Sequence, residues 1–219
     1  MKNFDQNKYN NFLLTCGVIG FFDKDIILKS GRKCRYYANC RRLTDSSMKT
    51  LETASFVNSF INDNFKGFDY VYGVPAGATK LAIAINLQSD KDIPLVIGRE
   101  KPKKHGEPKD RFFIGPIKSG QKIILIEDVT TTGQSLLNEV KKLHDAGIEI
   151  LGAIGLVDRQ EYRDDGLSVA EALLQKGIKY LSMSTSSELI SKIFSDNPPD
   201  IETIKKVKDY FEKYSYIRL

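Results

Sequence analysis

Short apolar runs alternate along the chain with longer segments in which apolar residues recur every three or four positions. The short runs are rich in β-branched and aromatic residues, which favour strands. They lie at residues 69–74, 94–98, 122–126, 149–157 and 178–183. The segments with helical spacing lie at residues 78–88, 133–145 and 168–176. Strands separated by helix-length segments predict βαβ units, a mostly parallel sheet and an α/β fold.

Further elements are predicted on both sides of this alternating region. Apolar residues at helical spacing predict a first helix over residues 5–16. A β-rich stretch follows, at residues 26–28 and 35–38. Thr44 or Asp45 is suited to cap a second helix. Near the end of the chain, Pro198 and Pro199 suit the first turn of a last helix.

Charge is unevenly distributed along the 219 residues. The chain has 33 Lys and Arg against 28 Asp and Glu, a net charge of +5, and its 41% hydrophobic residues exclude a mostly disordered chain. Residues 29–42 contain six basic side chains and no acid, and residues 99–111 have a net charge of +3. Together these segments carry +9, so the other 192 residues sum to −4. Two basic segments on a slightly acidic body favour sites for anions.

The cysteines and apolar stretches indicate a compartment. Three cysteines (Cys16, Cys34 and Cys40) are too few for a disulfide framework, and their spacing does not match a zinc site. The N-terminus has no apolar run of the signal-peptide type, and the longest apolar-plus-glycine stretch, residues 150–157, is far shorter than the ~20 residues of a membrane helix. We therefore expect free thiols in a soluble, cytoplasmic protein with no membrane partner.

The most informative segment is IILIEDVTTTGQS, residues 123–135. Its apolar residues predict a buried strand that ends in two carboxylates, Glu127 and Asp128. Three threonines and a glycine then lead into a helix, and their hydroxyls and backbone amides suit a phosphate. Ligands of an open parallel sheet bind beyond the carboxyl ends of its strands. Because the carboxylates would repel a phosphate, they suit sugar hydroxyls instead, directly or around a divalent metal.

The same residues also have a purely structural interpretation, a strand end followed by an ordinary helix cap. Their compact order after a buried strand favours a functional site. The segment is not a Walker P-loop or a dinucleotide-binding turn, because neither G-x-x-x-x-G-K-[ST] nor G-x-G-x-x-G occurs.

An apolar strand, two acids, a variable residue and a threonine loop that opens a helix are similar to the phosphoribosyl-diphosphate (PRPP) motif of type I phosphoribosyltransferases. The resemblance implies that family's fold, a central parallel sheet flanked by helices. It also implies that Glu127 and Asp128 contact the ribose hydroxyls. The 5′-phosphate would be held by the loop, whose residues are Thr130, Thr131, Thr132, Gly133, Gln134 and Ser135.

Two further segments resemble orotate phosphoribosyltransferases and bear on the acceptor base. Residues 29–33, KSGRK, followed by a tyrosine pair, are similar to the orotate-binding N-terminal region, and residues 158–161, DRQE, to the strand end whose arginine binds the orotate carboxylate. The orotate contacts implied are Lys29, Tyr36, Tyr37 and Arg159. The structural alternatives are a solvated hairpin with its tyrosines in the core, and a surface Asp-Arg ion pair.

The basic segment at 99–107 looks like the family's catalytic loop, where cations suit a pyrophosphate leaving group. The resemblance implies that Lys103 is the catalytic lysine, assisted by Arg99, Lys104 and His105. Here the loop begins Arg-Glu-Lys, whereas family members often read Arg-Lys-Glu. A loop this polar is also typical of plain mobile surface.

Residues 73–80 resemble the Gly-x-Pro turn that binds pyrophosphate in the family. Family members often place a lysine just after this turn, whereas Lys80 falls on the predicted helix, so its contact with pyrophosphate stays open. Backbone amides are expected to bind the pyrophosphate, from Ala76, Gly77, Ala78 and Thr79.

The resemblance implies transfer of the 5-phosphoribosyl group from PRPP to orotate, giving orotidine 5′-monophosphate and pyrophosphate. It implies Mg²⁺ held mainly by the pyrophosphate and ribose near Asp128, with no direct side-chain ligand, and a homodimer with shared active sites. No nucleic acid is expected. Residues 1–219 would form a single domain, with residues 1–45 as a hood that forms part of the base site and residues 46–219 as the PRPP-binding core and C-terminal helices.

Three alternatives stay open at this point. The acceptor could be a purine or uracil rather than orotate. The chain could be a regulator that binds PRPP without catalysis, although it lacks the broad basic face of a nucleic-acid-binding protein. It could also be an α/β fold whose anion-binding loops have another purpose.

Overall fold

The computed structural model describes residues 3–28, 30–105 and 111–219. The helices in these ranges are α1 (Gln6–Thr15), α2 (Ser47–Asn64), α3 (Thr79–Leu87), α4 (Gln134–Asp145), α5 (Val169–Leu174), α6 (Ser186–Asp196) and α7 (Ile201–Tyr214). The strands are β1 (Ile19–Ile27), β2 (Lys33–Ala38), β3 (Tyr70–Gly73), β4 (Ile97–Gly98), β5 (Phe113–Ile114), β6 (Lys122–Thr130), β7 (Glu149–Asp158) and β8 (Lys179–Ser182). A 3₁₀ helix, Cys40–Thr44, follows β2.

A four-stranded sheet lies at the centre, with its parallel strands in the order β3-β6-β7-β8. Ile124 and Ile126 of β6 pack on one face, in the core shared with α2, α3 and the hood. Ile123 and Leu125 pack on the other face, against α4 and α5. Because both faces are covered, β6 is a continuous apolar run rather than an alternating one. The predicted α/β fold with a parallel sheet is confirmed.

The hood packs onto the C-terminal part of the chain. Its strands β1 and β2 pair antiparallel, and Tyr36 of β2 stacks on Phe211 of α7 with 5.7 Å between ring centroids. Strand β1 begins at Ile19, well before the predicted start, because its exposed polar centre and a register shift after Phe21 interrupt the apolar pattern. The three cysteines are free and buried, as predicted.

Three predicted boundaries were wrong. Only Ile97–Gly98 of the predicted 94–98 strand is extended, and it pairs with β5 outside the central sheet. Pro94 has no N–H for a ladder, which limits the strand. Ser46 caps α2, since the preceding 3₁₀ helix includes Thr44. Asp200, rather than the prolines, opens α7. None of the helices in the described ranges is long and apolar enough to cross a bilayer.

Candidate active site

A cavity of about 1060 Å³ opens at the carboxyl ends of the central strands. The hood covers one side of it. The remaining walls come from the loop after β3, the end of β6, the loop that leads into α4, and the residues after β7. This is the position at which open parallel sheets bind ligands, and it brings four of the predicted segments together.

The acid pair lies at the end of β6 and lines the cavity. Glu127 is buried, while Asp128 is partly exposed and accepts a hydrogen bond from the amide of Val129 at 2.9 Å. The Asp128 carboxylate lies against Gly77 of the β3 loop, where a Cβ would stand 2.4 Å from Asp128 Cγ. Gly77 therefore lets the two loops approach, and carboxylate oxygens and loop amides share one wall of the cavity.

The threonine loop lines the cavity from Thr131 to Ser135. Gly133 caps α4 with a φ of 64°, and a Cβ there would stand 2.8 Å from Val169 Cγ2. The first amides of a helix have no partner within the helix, and the helix dipole favours an anion beside them. A residue of the segment after β7 also holds the loop, since Arg163 Nη1 donates to the carbonyl of Thr132 at 2.6 Å.

Some predicted PRPP residues do not line the cavity. Thr130 is buried because β6 stays paired with β7 up to Thr130 and Asp158, which makes this threonine the last strand residue rather than a loop residue. Ala78 is buried at the start of α3, and Thr79 is half-buried beside it. Ala76 and Gly77 do line the cavity, and the peptide bond between Pro75 and Ala76 is cis.

Lys80 also lines the cavity, although its role was left open. Its Nζ donates to the carbonyl of Thr44 at 2.7 Å, so the lysine joins the β3 loop side to the hood. The cation stands on the same side of the cavity as the amides expected to bind pyrophosphate.

The predicted base residues take different positions. Arg159 and the exposed Tyr37 line the cavity. Tyr36 is fully buried and does not line it; its ring lies 4.1 Å from the Arg159 guanidinium and supports that group from behind. Lys29 lies outside the described residues, but its neighbours Leu28 and Ser30 line the cavity.

Arg159 is itself 2% exposed and is held by several groups. Its Nε donates to Glu161 Oε1 at 2.7 Å, and its Nη2 lies 3.7 Å from Cys34 Sγ. Burial raises the pKa of the Cys34 thiol, which therefore stays neutral at pH 7. Because Arg159 is buried and donates to Glu161, Asp158 and Arg159 do not form the exposed ion pair of the structural alternative.

The predicted catalytic residues lie on a hairpin that we call the charged arm, residues 97–105 and 111–114. Its ladder continues beyond β4 and β5, since Arg99 N donates to the Phe112 carbonyl and Lys103 N to the Arg111 carbonyl, both at 2.8 Å. Lys103, Lys104 and His105 are exposed. None of the four predicted catalytic residues lines the cavity, whereas Glu100 of the arm does. The predicted residues 106 and 107 lie outside the described ranges.

Other cavity residues were missed by sequence reasoning. They come from the hood, α4 and the loop after β7, and are Asn39, Cys40, Arg41, Thr44, Asn138, Arg163, Asp164 and Asp165. Basic residues shortly after a strand end were a usable signal for Arg163. In the hood, Arg41 belongs to the basic segment 29–42, whereas Asn39, Cys40 and Thr44 carried no such signal.

A parallel sheet with an acid pair and a threonine loop at its carboxyl edge defines the class of the protein: it has the type I phosphoribosyltransferase fold. The crystal structure of the orotate phosphoribosyltransferase of Francisella tularensis superposes with a TM-score of 0.72 at 24% identity, over 95% of this chain and 99% of that one. That of Mycobacterium tuberculosis in complex with PRPP superposes with a TM-score of 0.63 at 24% identity, over 84% and 98%.

Sequence comparison identifies the family. The chain is 35% identical over 163 residues to the orotate phosphoribosyltransferase of Pyrococcus furiosus, which covers 74% of this chain and 84% of the relative. No family model matches the chain. At this identity and coverage, the chain belongs to the orotate phosphoribosyltransferase family, and the resemblance seen in its motifs is confirmed.

Proposed function

We propose that the chain transfers the 5-phosphoribosyl group from PRPP to orotate, giving orotidine 5′-monophosphate and pyrophosphate. Family membership supports this reaction. One observation carries it: the acid pair, the threonine loop and the Arg159 guanidinium line a single cavity. A sugar phosphate and a carboxylated base need those three kinds of group side by side.

PRPP would lie along the edge of β3 and β6. The amides and hydroxyls of residues 131–135 would bind its 5′-phosphate at the N-terminus of α4. Glu127 and Asp128 would accept hydrogen bonds from the ribose hydroxyls, and the backbone at Ala76 and Gly77 would bind the pyrophosphate. Lys80 adds a cation there. Its hydrogen bond to the Thr44 carbonyl joins this side of the cavity to the hood.

A divalent metal fits this arrangement in a particular way. Among the described residues, no group of three or more His, Cys, Asp or Glu side chains could hold a metal ion. Asp128 offers carboxylate oxygens close to the pyrophosphate loop, so Mg²⁺ would be held mainly by oxygens of PRPP beside Asp128. When bound there, it supplies charge neutralisation for the departing pyrophosphate.

Orotate would bind with its carboxylate at Arg159 and its ring near Tyr37. The buried guanidinium is a strong partner for a carboxylate, because Arg can donate two parallel hydrogen bonds in a dry site. Lys29 remains a predicted contact from the neighbouring turn. Uracil, hypoxanthine and adenine lack a carboxylate for Arg159, so the cavity favours orotate over them.

The chemistry needs positioning and charge stabilisation rather than a side-chain nucleophile. A ring nitrogen of orotate attacks C1′ while the C1′–oxygen bond to pyrophosphate breaks, and the proton of that nitrogen passes to the departing pyrophosphate. Positive charge develops on the ribose and negative charge on the leaving group. Glu127 and Asp128 stand where they would stabilise the ribose. We propose that Lys103 neutralises the pyrophosphate, with Arg99, Lys104 and His105 assisting.

The charged arm fits a homodimer with shared sites. None of these four residues lines the cavity, so a partner chain could present its own arm to it. Light scattering would measure the mass. A mixture of a Lys103→Ala chain with an Arg159→Lys chain would be more active than either impaired variant alone if the sites are shared. We also propose that the protein works in the cytoplasm as a single domain.

An absorbance assay tests the reaction. Orotate, PRPP and Mg²⁺ are expected to give loss of orotate absorbance, and a chelator is expected to stop it. Uracil, hypoxanthine and adenine serve as competing acceptors. Faster turnover of any of these bases, or PRPP binding without turnover of any base, would replace the proposed activity with one of the alternatives.

A further inference from the structure

A buried network lies directly behind the cavity face of Arg159. The Glu161 side chain is fully buried and accepts from three donors. Its Oε1 accepts from Arg159 Nε at 2.7 Å and from Tyr210 OH at 2.8 Å, and its Oε2 accepts from Arg32 Nη1 at 2.7 Å. These donors come from the end of β7, from α7 and from the hood, so three distant segments meet at one carboxylate.

Two arginines meet at one carboxylate in this network. Two guanidinium groups, of Arg159 and Arg32, share the single carboxylate of Glu161. Arg32 has a further, longer contact with the exposed Asp164 at 3.4 Å. Burial raises the pKa values of the Cys34 thiol and the Tyr210 hydroxyl, so neither supplies a negative charge at pH 7.

Arg159 lines the cavity while several neighbours hold its side chain. Its Nε and Nη2 have the partners given above. Tyr36 covers one face of the guanidinium at 4.1 Å, and the Tyr210 ring centroid lies 5.5 Å away. The guanidinium is thus held by Tyr36 on one face and by Glu161 at Nε, in a residue that lines the cavity.

We propose that Glu161 and Tyr210 are positioning residues for orotate: they set the orientation of Arg159 and make α7 part of the base site. This inference rests on the proposed function. Arg32 connects the same carboxylate to the hood, so Glu161 links the end of β7, α7 and the hood beside the cavity. Loss of either positioning group should weaken orotate binding and leave PRPP binding unchanged. The network joins the threonine loop through the backbone hydrogen bond from Arg159 N to the Thr130 carbonyl at 2.8 Å, and neither variant removes that bond.

Two variants and a matched control test the proposal. Tyr210→Phe removes one hydroxyl and keeps the ring, and Glu161→Gln removes the charge at nearly constant volume. Tyr70→Phe removes a buried hydroxyl at the opposite end of the sheet, where Tyr70 contacts Gln121. The measurements are KM for orotate, KM for PRPP, kcat and the thermal midpoint of each protein. The expected change in KM follows from the free energy of the hydrogen bond that each variant loses, which is larger when one partner is charged.

Tyr210→Phe is expected to raise KM for orotate about 3–10-fold, and Glu161→Gln about 10–100-fold, with KM for PRPP within twofold of wild type. Tyr70→Phe should change neither KM. Equal rises in both KM values, or unchanged KM for orotate in folded Tyr210→Phe protein, would overturn the proposal.

A failure of the proposed function would look different. Arg159→Lys would then leave KM for orotate unchanged, or the wild-type protein would turn over another base. If Arg159→Lys weakens orotate binding but Tyr210→Phe and Glu161→Gln do not, the proposed function stands and the positioning role is wrong.

Discussion

The carboxylate of Asp128 rests against the α-carbon of Gly77, so that a Cβ at Gly77 would stand only 2.4 Å from Asp128 Cγ. Asp128 lies near the end of strand β6, and Gly77 lies in the loop after the neighbouring strand β3. The contact sets the separation between the acid pair and the loop expected to bind pyrophosphate. Glycine is required here by this close approach rather than by its backbone angle.

Gly77→Ala is expected to reduce kcat/KM for PRPP by about 10–100-fold, because the new methyl group displaces the Asp128 carboxylate and small misplacements in a reacting site are costly. Steady-state kinetics with varied PRPP would measure the change. Gly20→Ala is the matched control, since a Cβ at that glycine meets nothing within 4 Å. Wild-type kinetics for Gly77→Ala would show that the contact between Gly77 and Asp128 does not affect PRPP binding or catalysis.

Gly133, the residue before α4, allows a test of the threonine loop. Gly133 and Gly166 both have positive φ, but only Gly133 would clash with a neighbour, Val169. Gly133→Ala should lower the free energy of unfolding by about 2–4 kcal/mol, and Gly166→Ala by about 1 kcal/mol, since the first adds overpacking to backbone strain. Urea titrations would compare the two. Equal losses would contradict the predicted clash.

Gly133→Ala should also weaken PRPP binding, because its methyl group pushes the loop from the N-terminus of α4. Titration calorimetry with PRPP would detect this effect, and Gly166→Ala should bind PRPP as the wild-type protein does. Unchanged affinity in Gly133→Ala would argue against phosphate binding by this loop.

The stability of the protein should depend on Asp158 below neutral pH. Burial raises the pKa of this carboxyl to about 6, against hydrogen bonds from Gln160 N and Tyr216 OH that favour its ionised form. Between pH 4 and 6 the folded protein binds a proton at this site that the unfolded chain does not. The contribution of Asp158 to stability therefore falls as pH rises through this window, by roughly 3 kcal/mol at most.

Denaturation midpoints from pH 4 to 8 would test this dependence. Asp158→Asn keeps the shape of the side chain and removes the titration, so its stability relative to wild type should rise as the pH increases from 4 to 6 and stay level above 7. A constant difference across the whole range would mean that Asp158 is ionised throughout.

Lys103→Ala is expected to lower kcat by about 100-fold with a small change in KM for orotate, because the lysine would neutralise charge that develops on pyrophosphate. The exposed Lys91, outside the charged arm, gives a control of equal charge change in Lys91→Ala. Near-normal turnover by Lys103→Ala would remove this lysine from the mechanism.

The acid pair and the threonine loop were predictable because their chemistry is local. A central parallel strand is buried on both faces and reads as an apolar run, and the residues that follow it must lie at the carboxyl edge of the sheet. Asp128, Thr131 and Gly133 therefore reached the cavity as predicted. Thr130 did not, because only the pairing of β6 with β7 shows that it still belongs to the strand.

Local sequence patterns could not predict the residues that surround Arg159. Sequence indicated the arginine itself, yet Arg32 and Tyr210 meet Glu161 from positions 129 and 49 residues away along the chain. Tyr36 and Tyr37 are neighbours in sequence, but the two faces of β2 send one to the core and the other to the cavity. Motif and periodicity thus predicted the fold, the family and the place of the threonine loop at the cavity, because these depend on residues close together in the chain. The arrangement of the base site depends on long-range packing of hood, strand and C-terminal helix, which arises only when the chain is folded.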